Sequence, residues 1–247
     1  MEILSTESLL FLFLLFIIAA LYASVGHGGA SGYLALMGLF HFAPEEMRPT
    51  ALLLNIFVSF VAWFQYSRNT VFNRKLFLWL IAGSLPAAFA GGMITLDATL
   101  YKQILGGLLF LPALRLFGVF KNEVHEIKEP AFIPAFLIGI AIGLISGIIG
   151  IGGGIILSPV LLLLKWTNIK ETALISALFI FLNSLSGLAG FFIKGIFFQT
   201  SSILWIGVAL AGGFIGAWYG SSRISPQNLR YLLGVVLVIA GTKLMFF

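Results

Sequence analysis

The sequence predicts an all-α fold: a polytopic transmembrane helical bundle of two inverted repeats, each a glycine-broken helical hairpin plus three spanning helices. Three observations carry this expectation. Apolar residues make up 60% of the 247 residues and charged ones 9%, with a mean hydropathy of +1.09, whereas a soluble domain keeps roughly a quarter of its residues charged. Ten apolar stretches follow one another, five on each side of the long polar stretch Lys121–Pro130. Two glycine runs, Gly26-His27-Gly28-Gly29 and Gly150-Ile151-Gly152-Gly153-Gly154, occupy corresponding places in the two sets.

The first stretch, 8–24, is apolar throughout and is preceded by two acids, Glu2 and Glu7, and no base. A cleavable signal peptide wants a positive start, so this stretch is expected to be retained. The second, 31–42, would rise about 18 Å as a helix against a hydrocarbon core of roughly 30 Å. It is therefore expected to be re-entrant, the returning arm of a hairpin over 8–42 with the glycine run at its tip. Stretches 50–67, 76–95 and 99–118 are long enough to span and complete repeat one, about 8–118. The polar linker 119–130 follows. Repeat two, about 131–247, opens with 131–148 and 154–166, a second hairpin over 132–166. It continues with 171–193, 202–221 and 228–246. A single transmembrane domain, 1–247, is expected. Thr50-Ala51 falls on Thr172-Ala173, Arg68 on Lys194, Trp79 on Trp205 and Gly106 on Gly234, and the common order of these matches points to internal duplication.

Orientation follows from the bases. If each hairpin enters and leaves on one side, the halves are inverted, and ten Lys and Arg residues lie on one side against four on the other. Arg48, Lys102, Lys194 and Lys243 form the smaller group. A parallel arrangement divides them eight to six, so the positive-inside rule selects inverted repeats with both termini outside and the linker in the cytoplasm. The expected location is the cell (cytoplasmic or inner) membrane, multi-pass, with the lipid bilayer as a partner.

Composition excludes several chemistries. The net charge of +5 is spread singly over loops and is not gathered into a patch, so no nucleic-acid partner is expected. Cysteine is absent, and Asp97 is the sole aspartate, so no nucleophilic triad assembles and no enzyme is expected. His41 and His125 lie far from His27 in the segment map, which leaves no metal site and no cofactor. Every acid lies in or beside a predicted loop, although a cation carrier wants a carboxylate at membrane depth.

What remains at depth is neutral or electropositive. A helix starting at Ser31 or Ile155 turns unpaired amides and a partial positive charge toward its glycine run. Two such starts facing each other make an anion cradle. The candidate substrate-binding residues are Ser24, Gly26, His27, Gly28, Gly29, Ser31 and Asn55 in half one. In half two they are Ser146, Gly150, Gly152, Gly153, Gly154, Ser158 and Asn183. For His27 two readings stand: an anion contact that senses protons, or a neutral ring bonded to a nearby carbonyl. Scattered glycines such as Gly91-Gly92 and Gly212-Gly213 read as helix packing. Arg48, Arg68, Arg74 and Arg115 read as snorkelling topology residues in preference to guides that bring anions to the mouth, and Phe11, Phe13, Trp63, Phe64, Trp79, Trp166 and Trp205 read as mainly lipid-facing or interfacial.

The run Ala23-Ser24-Val25-Gly26-His27-Gly28-Gly29-Ala30, with Ile145–Gly154 and Ser158-Pro159 in half two, resembles the sulfite exporter TauE/SafE family of membrane transporters. The likeness covers essentially the whole chain. It implies a transporter, usually an exporter, of sulfite, organosulfonates or related sulfur anions, with the glycine runs as the substrate site. The alternatives are an anion channel or facilitator using the same cradle, or a membrane interaction protein without transport; homo-oligomerisation is left open.

Overall fold

The computed structural model describes residues 6–68, 70–118, 127–196, 202–222 and 227–246. The start, 1–5, most of the linker, 119–126, and Arg223 lie outside them. The described residues form ten helices, α1 (Thr6–Ala23), α2 (Ala30–Leu39), α3 (Pro44–Ser67), α4 (Arg74–Met93) and α5 (Ala98–Leu116), then α6 (Phe132–Ile149), α7 (Gly154–Leu163), α8 (Ile169–Ile193), α9 (Ser202–Ser222) and α10 (Gln227–Phe246). All ten expected stretches are helical, and no strand occurs among the described residues.

The main helix pairs recur when the first five helices are exchanged for the second five. α4 packs on α6 and α9 on α1; α4 on α8 and α9 on α3; α2 on α10 and α7 on α5. Single residues follow suit: Gly106 abuts Met245, as Gly234 abuts Phe117. Backbones touch where glycine lines one face. Gly139, Gly143 and Gly147 of α6 rest on the carbonyls of Leu80, Ser84 and Ala88, and Gly212, Gly216 and Gly220 of α9 rest on those of Phe16, Ala20 and Ser24. Lipid tails are as apolar as leucine, so close van der Waals approach of this kind, and not apolar burial, holds such helices together.

Each glycine run turns the chain back on itself. Phe11, early in α1, packs edge-on against Phe40, just past α2, with ring centroids 5.3 Å apart. In half two, the Lys128 amide before α6 donates to the Lys165 carbonyl after α7 at 2.8 Å. The 18 residues of α1 and of α6 rise about 27 Å, while the 10 residues of α2 and of α7 rise about 15 Å. The short arms therefore start about half-way across. The long arms approach α3 from opposite ends. Tyr66, near the end of α3, donates its hydroxyl to the Ser24 carbonyl at 2.9 Å. Arg48, near the start of α3, lies against Gly150.

The outer face suits lipid: Phe13, Phe132, Ile133, Leu137, Phe214 and Trp218 are exposed. Six helices are long and apolar enough to cross a membrane, namely α1, α3, α4, α6, α8 and α9. The first hairpin arms thus qualify as spans, whereas the described apolar parts of α5 and α10, Ala98–Leu114 and Leu237–Phe246, are shorter. Phe11, Trp166 and Trp205 correct the reading of the aromatics, because they are buried. Phe11 packs with Phe40, Phe42 and Trp205 to close the mouth of the first hairpin. Phe13 and Phe64 are exposed, as expected.

Gly143→Leu drives a side chain into the Ser84 backbone and should cost more than the about 1–3 kcal/mol of ordinary overpacking, abolishing the folded peak in detergent. Gly207→Ala, whose Cβ meets nothing within 4 Å, should leave the melting temperature unchanged or raised.

Candidate functional site

The two breaks meet at one side chain. Asn55, at mid-length of α3 and 1% exposed, accepts the Ala30 amide on Oδ1 at 3.0 Å, at the start of α2. Its Nδ2 points to the other break, 3.4 Å from the Ile151 carbonyl and 3.5 Å from Ser184 Oγ. Gly28 and Gly152 both lie so close to the Asn55 amide that neither position has room for a Cβ. These contacts explain the glycines better than flexibility does. Left-handed backbone adds a second reason at the helix starts: Gly29 (φ 99°) and Gly153 (φ 79°) precede α2 and α7, and neither places a side chain over the amides that follow.

The hydrogen bonding is lopsided. Break carbonyls receive tyrosine hydroxyls: Tyr33 donates to Gly28 at 2.7 Å, Tyr66 to Ser24 at 2.9 Å and Tyr101 to Ile149 at 3.1 Å. Break amides fare differently. Apart from Ala30, the amides of Gly28, Gly29, Ser31 and Gly32 find no acceptor among the described residues, and neither do those of Ile151, Gly152, Gly153, Gly154 and Ile155. All nine residues are buried. A buried amide left unpaired costs about 1–3 kcal/mol, so this surplus of donors favours an acceptor-rich occupant. Beside it lies a small cavity lined by Tyr22, His27, Gly28, Gly29, Ser31, Asn55, Ile151 and Ile180, with no Asp or Glu. Its free space is about that of one water molecule.

Side chains extend the cradle unevenly. Tyr22 and Ser31 share a hydroxyl hydrogen bond of 2.7 Å at the cavity. His27, from the first break, reaches into half two. Its Nδ1 lies 3.0 Å from the Val25 carbonyl, which only accepts, so the proton sits there. Nε2 lies 2.9 Å from Ser158 Oγ, itself 2.7 Å from Ser176 Oγ. The carbonyl contact is that of the second reading of His27, yet the ring also ties the two halves together beside the cavity.

Of the fourteen candidates, the structure brings together Gly26, His27, Gly28, Gly29, Ser31, Asn55, Gly150, Gly152, Gly153, Gly154 and Ser158 at or next to the two breaks. Ser146 is buried against Gly153, with no partner for its hydroxyl among the described residues. Two candidates sit apart. Ser24 turns its hydroxyl back onto the Leu21 carbonyl of its own helix, at 2.8 Å. Asn183 faces α4, donating to Ser84 Oγ at 3.1 Å and to Phe179 O at 2.9 Å, because its position on α8 points away from the tips.

Arg48 is a correction. Sequence placed it in a loop, but α3 starts at Pro44, and Arg48 is 5% exposed. Proline at the first helical position and the acids Glu45 and Glu46 after it were the available signal. Tyr22, Tyr33, Tyr66 and Tyr101 went unnoticed too, although a tyrosine in an apolar helix needs a partner for its hydroxyl.

Tyr101 is set in place by Asp97, whose carboxylate caps α5 by accepting the Thr99 and Leu100 amides at 2.8 and 3.3 Å. Those amides, Leu100 first and then Thr99, hold its carboxyl below the usual carboxylate range. This stabilisation is present above the ordinary carboxylate pKa and is lost as pH falls through the depressed one. Asp97→Asn should flatten that acid limb in melting temperature against pH. Separately, Tyr33→Phe strands the Gly28 carbonyl and should destabilise the protein by about 1–3 kcal/mol, read from thermal melts.

The family profile "Sulfite exporter TauE/SafE" matches residues 11–244. A probable membrane transporter protein of Sinorhizobium fredii is 35% identical, over 98% of this chain and 99% of its own. One from Bacillus subtilis is 25% identical over 96% of this chain and 100% of its own. One from Methanocaldococcus jannaschii is 26% identical over 78% and 76%. No solved structure matches the chain.

Proposed function

The chain belongs to the sulfite exporter TauE/SafE family of membrane transporters, and from that premise we propose that it exports small sulfur oxyanions, sulfite or organosulfonates, across the cell membrane. The observation that carries this reading is the pair of glycine-started half-helices whose uncapped amides converge on Asn55. Helix starts with free amides favour anions, and a sulfur oxyanion offers three acceptor oxygens to several amides at once. The absence of any carboxylate from the cavity lining agrees.

Each half is taken as one repeat, 8–118 and 131–247, the second inverted relative to the first. The opposite approach of α1 and α6 to α3 supports this arrangement, as does the exchange of packing partners between halves. Transport then requires one half to rock against the other, because a site with room for about one water molecule cannot pass an oxyanion as it stands. The same closure favours a transporter over an open anion channel. No coupling ion is obligatory for export, since an inside-negative potential drives each negative charge outward by about 2.3 kcal/mol per 100 mV.

Liposomes holding the purified protein should release labelled sulfite faster under an inside-negative potential than empty vesicles do; equal, voltage-independent release contradicts the proposal. Gly28→Val and Gly153→Val should abolish this flux while the protein remains inserted, since one fills the space beside Asn55 and the other forces a branched residue into left-handed backbone.

A further inference from the structure

Among the described residues the buried cation, Arg48, lies outside the cradle. Arg48 is 5% exposed, and no described carboxylate pairs with it; Glu45, one turn earlier, is exposed. Its Nη2 donates to the Ile94 carbonyl at 2.9 Å, and its guanidinium lies 4.5 Å from the centre of the Phe191 ring and 5.5 Å from that of Tyr101. Its Nε is buried without a partner among the described residues. A guanidinium wants acceptors on all its donors, and it pairs best with a planar or tripodal oxyanion in a two-pronged contact. Ring faces and one carbonyl leave that edge unused.

Position matters as much as chemistry. Arg48 and Asn55 are seven residues apart on α3 and so share one face, two turns from each other. That face runs along the second break: Asn55 abuts Gly152, and Arg48 abuts Gly150. Tyr101, beneath the guanidinium, also holds the Ile149 carbonyl at the end of α6. The corresponding residue of half two, Lys170, is exposed, so among the described residues the buried charge lies at one end of the path.

Resting on the transporter reading, we propose that Arg48 is a second anion station, taking the sulfur oxyanion as it leaves the glycine cradle toward the α3 start. The break at Gly150 is the connection: when the halves rock, the tip slides along α3 and passes its anion from amides to guanidinium.

Reconstituted wild type, Arg48→Gln and Arg48→Lys, with labelled sulfite over a concentration series, test this. Arg48→Gln should lower flux at least tenfold, mainly through a raised KM, without lowering the melting temperature of the anion-free protein. Arg48→Lys, which keeps charge but loses the planar fork, should fall between. Sulfite should raise the melting temperature of wild type more than that of Arg48→Gln. A strut role predicts the reverse, namely lower melting temperatures in both variants with KM unchanged, and that result overturns the station while the transporter reading stands. Should Arg48→Gln fail extraction, Arg48→Lys decides alone: a raised KM supports the station, an unchanged one overturns it. Wild-type vesicles without sulfite flux overturn the transporter reading, and the station with it.

Discussion

Inside a bilayer no water waits to pair an exposed peptide group, so a broken helix survives only where the protein, or a cavity that it lines, answers for the donors and acceptors that the break releases. Here the two kinds of group are treated differently. Carbonyls at the breaks are taken up by the hydroxyls of Tyr33, Tyr66 and Tyr101, while one amide, that of Ala30, is taken up by Asn55. The amides of Gly26, His27 and Gly150 bond back to their own helices, and those of Gly28, Gly29, Ser31, Gly32 and 151–155 remain, among the described residues, as a surplus of donors. Selectivity for negative solutes follows from this imbalance without any formal charge in the cradle. The α2 and α7 helices both turn their positive N-terminal ends to this place, so their potentials add.

Repetition in this protein is a property of backbone more than of side chains. The glycine breaks, the half-length arms and the glycine-lined contacts of α4 with α6 and of α9 with α1 recur in both halves. The polar side chains do not. Tyr22 and Ser31 share a hydrogen bond where half two has Ser146 and Ile155, and His27 stands opposite Ile151. A duplicated frame thus supplies two equivalent helix starts, and unpaired substitutions give the cavity its chemistry. His27 spans both, since its ring is held by the first break and bonded to Ser158 of α7.

Much of this was legible in the chain, for physical reasons. Helices buried in lipid must be long, apolar and continuous, so their ends show wherever polar or glycine residues interrupt, and each of the ten stretches is matched by a helix. The breaks were readable because a triple glycine is costly in an ordinary helix. Side-chain direction was not readable. Asn183 has the same composition signal as Asn55, yet its place on α8 turns it toward Ser84. Arg48 looked like a loop base because apolarity begins only at Thr50, although the helix starts six residues earlier at Pro44. Tyrosines that reach carbonyls in other helices, such as Tyr101 to Ile149, are contacts of tertiary structure, with no local pattern to announce them.

If backbone donors at two facing helix starts hold the solute, a density map of the protein prepared with sulfite will place it there. New density is expected between the tips, within about 2.7–3.2 Å of amides from both the Gly28–Ser31 and the Ile151–Ile155 segments. Density confined to the protein surface, or breaks whose amides turn toward protein carbonyls while sulfite saturates the sample, would contradict this placement.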